Sequence, residues 1–90
     1  MKRVTMYTTA TCPFCVRAEA LLDEYGVTDL EKIRVDLEPA RRQEMMRVSG
    51  RHTVPQIFIA DYHVGGCDEL FDLDEAGRLG PLLGSEDSPR

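Results

Sequence analysis

The sequence predicts an α/β protein with a four-stranded mixed β-sheet flanked by three or more helices. Ninety residues are enough for one compact core and too few for two domains. The hydrophobic patterns follow the order strand, helix, strand, helix, strand, strand, helix. This order contains a right-handed parallel crossover followed by an antiparallel hairpin. We expect one domain over residues 1–83 and a flexible polar tail over residues 84–90.

The first strand and the first helix have the clearest patterns. Residues 3–8 are rich in β-formers, with Val4 and Met6 on one face. Pro13 is favoured at a first helical position, and Gly26 is the expected end of the helix. The apolar stripe between them has helical spacing. It consists of Phe14, Ala18, Leu21, Leu22 and Tyr25.

A second strand and helix are predicted in the middle of the chain. Apolar residues alternate there with charged ones, which predicts a strand with one buried face. These apolar residues are Ile33, Val35 and Leu37. Pro39 opens a helix that runs to about Ser49 before Gly50. Its apolar positions form a thin stripe of Met45, Met46 and Val48, and the two methionines are expected in the core.

The last third of the chain predicts a hairpin and a third helix. Residues 56–60 form a continuous apolar run, as expected for a strand covered on both faces. A short turn leads to a strand at 63–65, close enough for a hairpin. Residues 66–76 have a helical pattern that ends at Gly77, and 81–83 can add a final helical turn.

Composition and charge exclude several classes of protein. The longest uncharged stretch, residues 4–16, is too short and too polar to span a membrane or to form a signal peptide. The net charge of −5 opposes nucleic-acid binding. A local basic patch, taken alone, indicates a solvated helix face. It contains Arg41, Arg42, Arg47 and Arg51. We expect a cytoplasmic protein.

Three cysteines are too few, and odd in number, for a secreted disulfide scaffold. Cys12-Pro-Phe-Cys15 lies where a strand meets a helix, which is typical of a thioredoxin-like redox motif. At the helix start, the Phe14 and Cys15 N–H groups and the helix dipole favour a Cys12 thiolate. Cys15 lies one turn further and is expected to be the less exposed, resolving thiol.

Two structural interpretations of the cysteines are weaker. A zinc site would need further ligands from Cys67, His52 and His63, which lack the paired spacing of structural zinc sites. We therefore expect no metal, and we interpret the two histidines as ordinary loop and strand-edge residues. A structural disulfide closing so short a loop would stabilise the fold little, and the cytosol would reduce it.

Three segments together resemble the dithiol glutaredoxins, specifically the short bacterial kind often called type 3. These segments are Cys12-Pro-Phe-Cys15, residues 53–59 (TVPQIFI) and residues 65–70 (GGCDEL). The resemblance implies a thioredoxin fold, with glutathione as the reducing co-substrate and no covalently bound cofactor. It also implies a glutathione-binding groove. The groove residues would be Phe14, Arg42, Thr53, Val54, Pro55, Gly66, Cys67 and Asp68.

The resemblance assigns roles to some of these residues. Pro55 would be cis and face the active cysteines, leaving the Val54 backbone free to pair with the cysteine of glutathione. Asp68 and the start of the third helix would hold the γ-glutamyl end. Arg42 would lie near the glycine carboxylate. Thr9 occupies a position where many family members carry a lysine that lowers the thiol pKa and pairs with the glycine carboxylate. Arg42 or Arg51 would then supply part of that charge.

Phe14 and Cys67 are two further positions in the implied groove. Phe14 replaces a commoner tyrosine, which keeps the ring and removes its hydroxyl. Cys67 is expected to have a packing role, because free cysteine is among the most buried residue types.

The expected function is a glutathione-dependent thiol-disulfide oxidoreductase, with Cys12 attacking and Cys15 resolving. The resemblance suggests ribonucleotide reductase and similar enzymes as clients, and a monomer is expected. One alternative is a glutathione-ligated iron–sulfur cluster carrier, against which Pro13 weighs. Another is a redoxin reduced by thioredoxin reductase, against which Asp68 and Arg42 weigh.

Overall fold

The computed structural model describes residues 2–84, which form four strands and four helices. They are β1 (Val4–Thr8), α1 (Pro13–Glu24), β2 (Glu31–Arg34), α2 (Pro39–Ser49), β3 (Gln56–Ile59), β4 (Tyr62–Gly65), α3 (Cys67–Glu75) and α4 (Leu79–Leu83). The order in the sheet is β2-β1-β3-β4. Strand β1 pairs parallel to β2 and antiparallel to β3, and β3 pairs antiparallel to β4. The predicted mixed four-stranded sheet is confirmed. From residue 85 onward, the predicted tail lies outside the described residues.

Side chains that alternate along β1 divide the core between the two faces of the sheet. Val4 and Met6 belong to a large cluster with residues of α1, α3 and α4. Tyr7 belongs to a smaller cluster that includes Met45 of α2. The face covered by α1 and α3 is therefore the thicker part of the core. The first active cysteine lies just before α1 on this side.

Two core predictions in the middle of the chain are wrong. Met46 is 39% exposed, while its neighbour Met45 is fully buried. Helix α2 buries only a narrow stripe, so the next residue, about 100° around the helix, faces outward. Leu37 is 67% exposed because β2 ends at Arg34. The Leu37 N–H donates to the Arg34 carbonyl in a turn, which takes Leu37 out of the alternation of the strand.

The two edge strands of the sheet have different surroundings. On β2, Glu31 pairs with Arg3 at 2.9 Å and Lys32 pairs with Glu19 at 3.0 Å. Strand β4 is short and runs directly into α3, and it includes Tyr62, which the sequence placed in the turn. Within residues 2–84, no helix is long and apolar enough to cross a membrane.

Candidate active site

Cys12 and Cys15 form a disulfide at the start of α1, with their Cα atoms 5.2 Å apart. Cys12 is the residue before the helix and Pro13 is its first residue, as predicted. The Cys15 N–H donates to Cys12 Sγ at 3.1 Å, whereas no such bond from Phe14 is found among the described residues. Cys12 is 9% exposed and Cys15 is 3% exposed. Cys12 is therefore the more accessible residue of the pair, and its sulfur is the one that receives a backbone N–H.

The loop before β3 brings a second backbone segment to the cysteines. The peptide bond between Val54 and Pro55 is cis, as the resemblance implies. The Val54 carbonyl oxygen lies 3.9 Å from Cys12 Sγ, although Val54 is 42 residues away in sequence. The short β1–α1 connection and the loop before β3 therefore meet at Cys12.

A groove of about 160 Å³ lies beside this meeting point. It is bounded by the start of α1, the loop before β3 and the start of α3. Its lining residues are Phe14, Arg51, Thr53, Val54, Pro55, Gln56, Gly66, Cys67, Asp68 and Glu69. Every groove residue proposed from the sequence is among them except Arg42. The structure thus brings three distant segments together around one opening.

Two arginines near the groove have different neighbours. Arg42 donates from Nη2 to the His52 carbonyl at 3.2 Å and does not line the groove. Arg51 does line it, and its Nη1 lies 3.0 Å from Glu69 Oε1. From the sequence, Arg51 is expected in the basic patch and as a source of the charge missing at Thr9, but its pair with Glu69 is not predicted. Its place in the groove depends on how the loop after α2 folds back toward α3.

Glu69 was also missed, although its spacing offered a signal. It follows Gly66 by three positions, which is the spacing of the carboxylate in a capping box. The Gly66 N–H donates to Glu69 Oε1 at 2.6 Å, and this bond, followed by the Arg51 pair, lowers the pKa of Glu69. Gly65 has φ +111, and a Cβ there would lie 2.6 Å from the same oxygen. The glycine is therefore required where β4 turns into α3.

Cys67 begins α3, and its side chain packs inward. It is a free cysteine, 5% exposed, within the large core cluster. Burial raises the pKa of the Cys67 thiol, Asp68 and Glu69 add to this effect, and Arg17 opposes it. These observations agree with the predicted packing role.

The cysteines line a second opening, of about 370 Å³, which also includes Thr9 and Arg34. Arg34 makes two hydrogen bonds of 2.7 Å to Asp36. The Asp36 carboxylate also accepts from the Ala10 N–H at 3.3 Å, so it ties the loop before Cys12 to the end of β2. The bond from Arg34 is the main cause that lowers the pKa of Asp36 to about 2. Asp36 therefore neutralises the guanidinium group of Arg34, which lines this opening.

The histidines and cysteines form no metal site in the part of the chain that the structure describes. No group of three or more His, Cys, Asp or Glu side chains there could hold a metal ion. His63 is nevertheless more than an ordinary strand-edge residue, because its Nε2 lies 2.8 Å from Gln56 Oε1. No pattern in the sequence indicates this pair, because it depends on the register of β3 and β4.

Comparisons with known proteins agree on one family. The family model described as Glutaredoxin matches residues 4–64. Glutaredoxin 3 of Escherichia coli (strain K12) is 52% identical over 83 residues, which cover 92% of this chain and 99% of the relative. A dithiolic glutaredoxin of Trypanosoma brucei brucei is 38% identical, with a TM-score of 0.80 over 91% of this chain and 87% of that one. A buckwheat glutaredoxin–glutathione complex is 29% identical, with a TM-score of 0.83 over 92% and 77%.

The family model covers more than half of the chain, and the bacterial relative is matched over nearly its whole length. The solved neighbours share the mixed sheet and flanking helices of the thioredoxin fold. The disulfide pair at the start of α1 is consistent with a dithiol active site. The chain therefore belongs to the glutaredoxin family of thiol-disulfide oxidoreductases.

Proposed function

We propose that this protein uses glutathione to reduce protein–glutathione mixed disulfides and protein disulfides in the cytoplasm. The observation that carries the proposal is the position of Cys12 Sγ. It lies at a helix start and 3.9 Å from the Val54 carbonyl, at the edge of a groove bounded by a second helix start. A buckwheat relative of similar fold forms a complex with glutathione, which supports the same ligand here.

The groove offers a complementary group for each part of glutathione. The Val54 backbone can pair with the cysteine residue in the manner of an added strand. The free N–H groups at the start of α3 suit the γ-glutamyl carboxylate, and the Asp68 carboxylate suits its ammonium. Arg51, which lines the groove, and Arg42, which lies outside it, are the two cations proposed for the glycine carboxylate.

With a glutathionylated protein, the reaction needs only Cys12. Its thiolate attacks the glutathione sulfur, the client thiolate leaves, and Cys12 becomes disulfide-linked to glutathione. The thiolate of a second glutathione then attacks the glutathione sulfur of that bond. Oxidised glutathione leaves, and the Cys12 thiolate returns. The Cys15 N–H, 3.1 Å from Cys12 Sγ, stabilises the negative charge that develops there.

With a protein disulfide, Cys15 completes the exchange. Cys12 attacks one client sulfur and forms a mixed disulfide, while the other client sulfur leaves as a thiolate. The Cys15 thiolate then attacks Cys12 Sγ, which releases the reduced client and forms the Cys12–Cys15 disulfide. Two glutathione molecules reduce this disulfide and leave as oxidised glutathione. The clients that this proposal implies are enzymes that form a disulfide in each turnover, ribonucleotide reductase among them. The protein is proposed to act on them as a monomer.

A coupled assay tests the proposal. The protein is supplied with a small glutathione mixed disulfide, glutathione, glutathione reductase and NADPH, and a parallel assay replaces the last three with thioredoxin reductase and NADPH. In the first assay, we expect the rate of NADPH consumption to saturate as the concentration of the mixed disulfide increases. Activity only with thioredoxin reductase would overturn the proposal. An iron–sulfur absorbance after anaerobic purification with glutathione, without reductase-coupled turnover, would favour the cluster carrier.

A further inference from the structure

Gln56 is a buried polar residue beside the active-site loop. It is 1% exposed, it is the first residue of β3, and it directly follows Pro55. A buried amide costs free energy unless its donor and acceptor are both hydrogen-bonded. The partners of this amide therefore show which parts of the fold it connects.

The two ends of the Gln56 amide reach two different elements. Nε2 donates to the Thr53 carbonyl at 3.0 Å, and Oε1 lies 2.8 Å from His63 Nε2 on β4. A carbonyl oxygen only accepts, so the amide nitrogen must face Thr53. The amide oxygen then faces the ring, and His63 Nε2 must carry a proton. The contacts thus fix both the amide orientation and the tautomer of the neutral ring.

His63 is held in place by contacts of its own. Its ring stacks on Phe58 with centroids 4.8 Å apart. Burial lowers the pKa of His63, with Arg51 acting in the same direction and Glu69 opposing. These two side chains are the charged groups that face it. At neutral pH the ring is therefore mainly neutral and donates through Nε2.

We propose that His63 and Gln56 are positioning residues that orient the Val54 N–H for glutathione. The Thr53 carbonyl and the Val54 N–H belong to one peptide plane, so a hydrogen bond that fixes the carbonyl also fixes the direction of the N–H. His63 holds Gln56, and Gln56 holds this plane. Neither side chain needs to touch the substrate. This inference rests on the proposed glutathione chemistry. It adds the two side chains that hold the glutathione-binding peptide group in its orientation.

The test compares His63→Leu, His63→Gln and the parent in the glutathione-reductase assay. Leucine removes the donor to Gln56, whereas the glutamine amide nitrogen can take the place of Nε2. We expect His63→Leu to raise the KM for the mixed disulfide about threefold to tenfold with kcat nearly unchanged. His63→Gln should restore most of the parent KM. Tyr62→Leu, a change to a neighbouring exposed residue of β4 outside the network, is the matched control.

Two further measurements separate positioning from general destabilisation. The alkylation rate of Cys12 in the reduced His63→Leu protein should equal that of the parent, because the helix start is intact. In the parent, ring ¹⁵N shifts should show His63 protonated at Nε2, a readout that does not depend on any variant folding. A ring protonated only at Nδ1 would overturn the inference.

The outcomes also distinguish this inference from the proposed function. If the parent shows no saturable turnover of the glutathione mixed disulfide, the proposed function fails. If the parent saturates and folded His63→Leu has the parent KM, the positioning role alone is overturned. The positioning role would also be overturned if His63→Gln raised the KM as much as His63→Leu does. The same conclusion would follow if Tyr62→Leu raised the KM equally.

Discussion

Two helices begin at the groove with a cysteine, and they use it in opposite ways. At α1, Cys12 precedes the helix, and its sulfur accepts the Cys15 N–H. At α3, the Glu69 carboxylate accepts the Gly66 N–H, and Cys67 is the first helical residue, with its thiol in the core. A cysteine near a helix start is therefore not reactive by position alone. It becomes reactive when its sulfur is the group that receives the N–H donors.

The largest expected effect comes from removing the cysteine at the start of α1. Cys12→Ser should abolish all turnover, because among the three cysteines, all of which lie within residues 2–84, Cys12 is the one whose sulfur receives a backbone N–H. Cys15→Ser should keep deglutathionylation and lose reduction of protein disulfides, since only the second reaction needs a resolving thiol. Activity assays with a glutathionylated peptide and with a disulfide-bonded protein measure the two reactions. Equal losses in both variants would show that the roles are misassigned.

Alkylation of the reduced protein sharpens the same comparison. Iodoacetamide at neutral pH should modify Cys12 long before Cys67, because burial raises the pKa of the Cys67 thiol and restricts its access. Peptide mass spectrometry over time identifies the modified residue. Unfolding in denaturant should bring the two rates close together. Comparable rates in the folded protein would contradict the inward placement of Cys67.

Asp68 tests whether the start of α3 is a binding site. Asp68→Ala should weaken the apparent affinity for glutathione by about 1.5–3 kcal/mol, the range for a hydrogen bond to a charged group. The rate of Cys12 alkylation should stay unchanged, since Asp68 belongs to the other helix. Glutathione titrations in the coupled assay give the affinity. An unchanged affinity would remove Asp68 from the proposed site.

Glu69 tests the cap of α3. Glu69→Ala should lower the free energy of unfolding by about 1 kcal/mol, as expected for the loss of a helix cap. Because the pKa of Glu69 is lowered in the folded protein, its charge stabilises the fold above the ordinary value of 4.5. This contribution is lost as the pH falls through the lowered pKa. Urea titrations between neutral pH and pH 3 should show a weaker pH dependence in Glu69→Gln than in the parent.

The smallest expected effect concerns Thr9, which shares an opening with Cys12. Arg34 and Lys32 line the same opening, but Asp36 pairs with the first and Glu19 with the second. Thr9→Lys should therefore lower the pKa of Cys12 and tighten glutathione binding, and both effects should weaken with added salt. Thiolate absorbance titrations measure the pKa. A pKa equal to that of the parent would mean that the backbone donor already supplies the stabilisation.

Local patterns predicted the fold and the reactive helix start. Pro13 and the apolar stripe of α1 act within one segment, so sequence spacing was sufficient to place the cysteines. The predictions for Leu37 and Met46 were wrong. Leu37 is exposed because it lies in a turn after β2, and Met46 is exposed because α2 buries only a narrow stripe.

The contacts at the site that were missed depend on how different elements pack together. Arg51 reaches Glu69 across 18 residues of sequence. Gln56 meets His63 because β3 and β4 pair in a register that places Phe58, two residues after Gln56, opposite His63. Spacing within one segment cannot reveal either contact.

The ion pairs on the outer strand β2 also affect how the protein behaves at high concentration. An open strand edge can recruit the edge of another molecule and begin aggregation. Here Glu31 and Lys32 are each engaged with a side chain from another segment, so the edge presents alternating charges rather than an apolar ribbon. Adding a strand from a second copy against β2 would have to accommodate these charged side chains and would disturb both pairs. The same pairs that add little to folding stability therefore oppose sheet extension and help to keep the molecules separate.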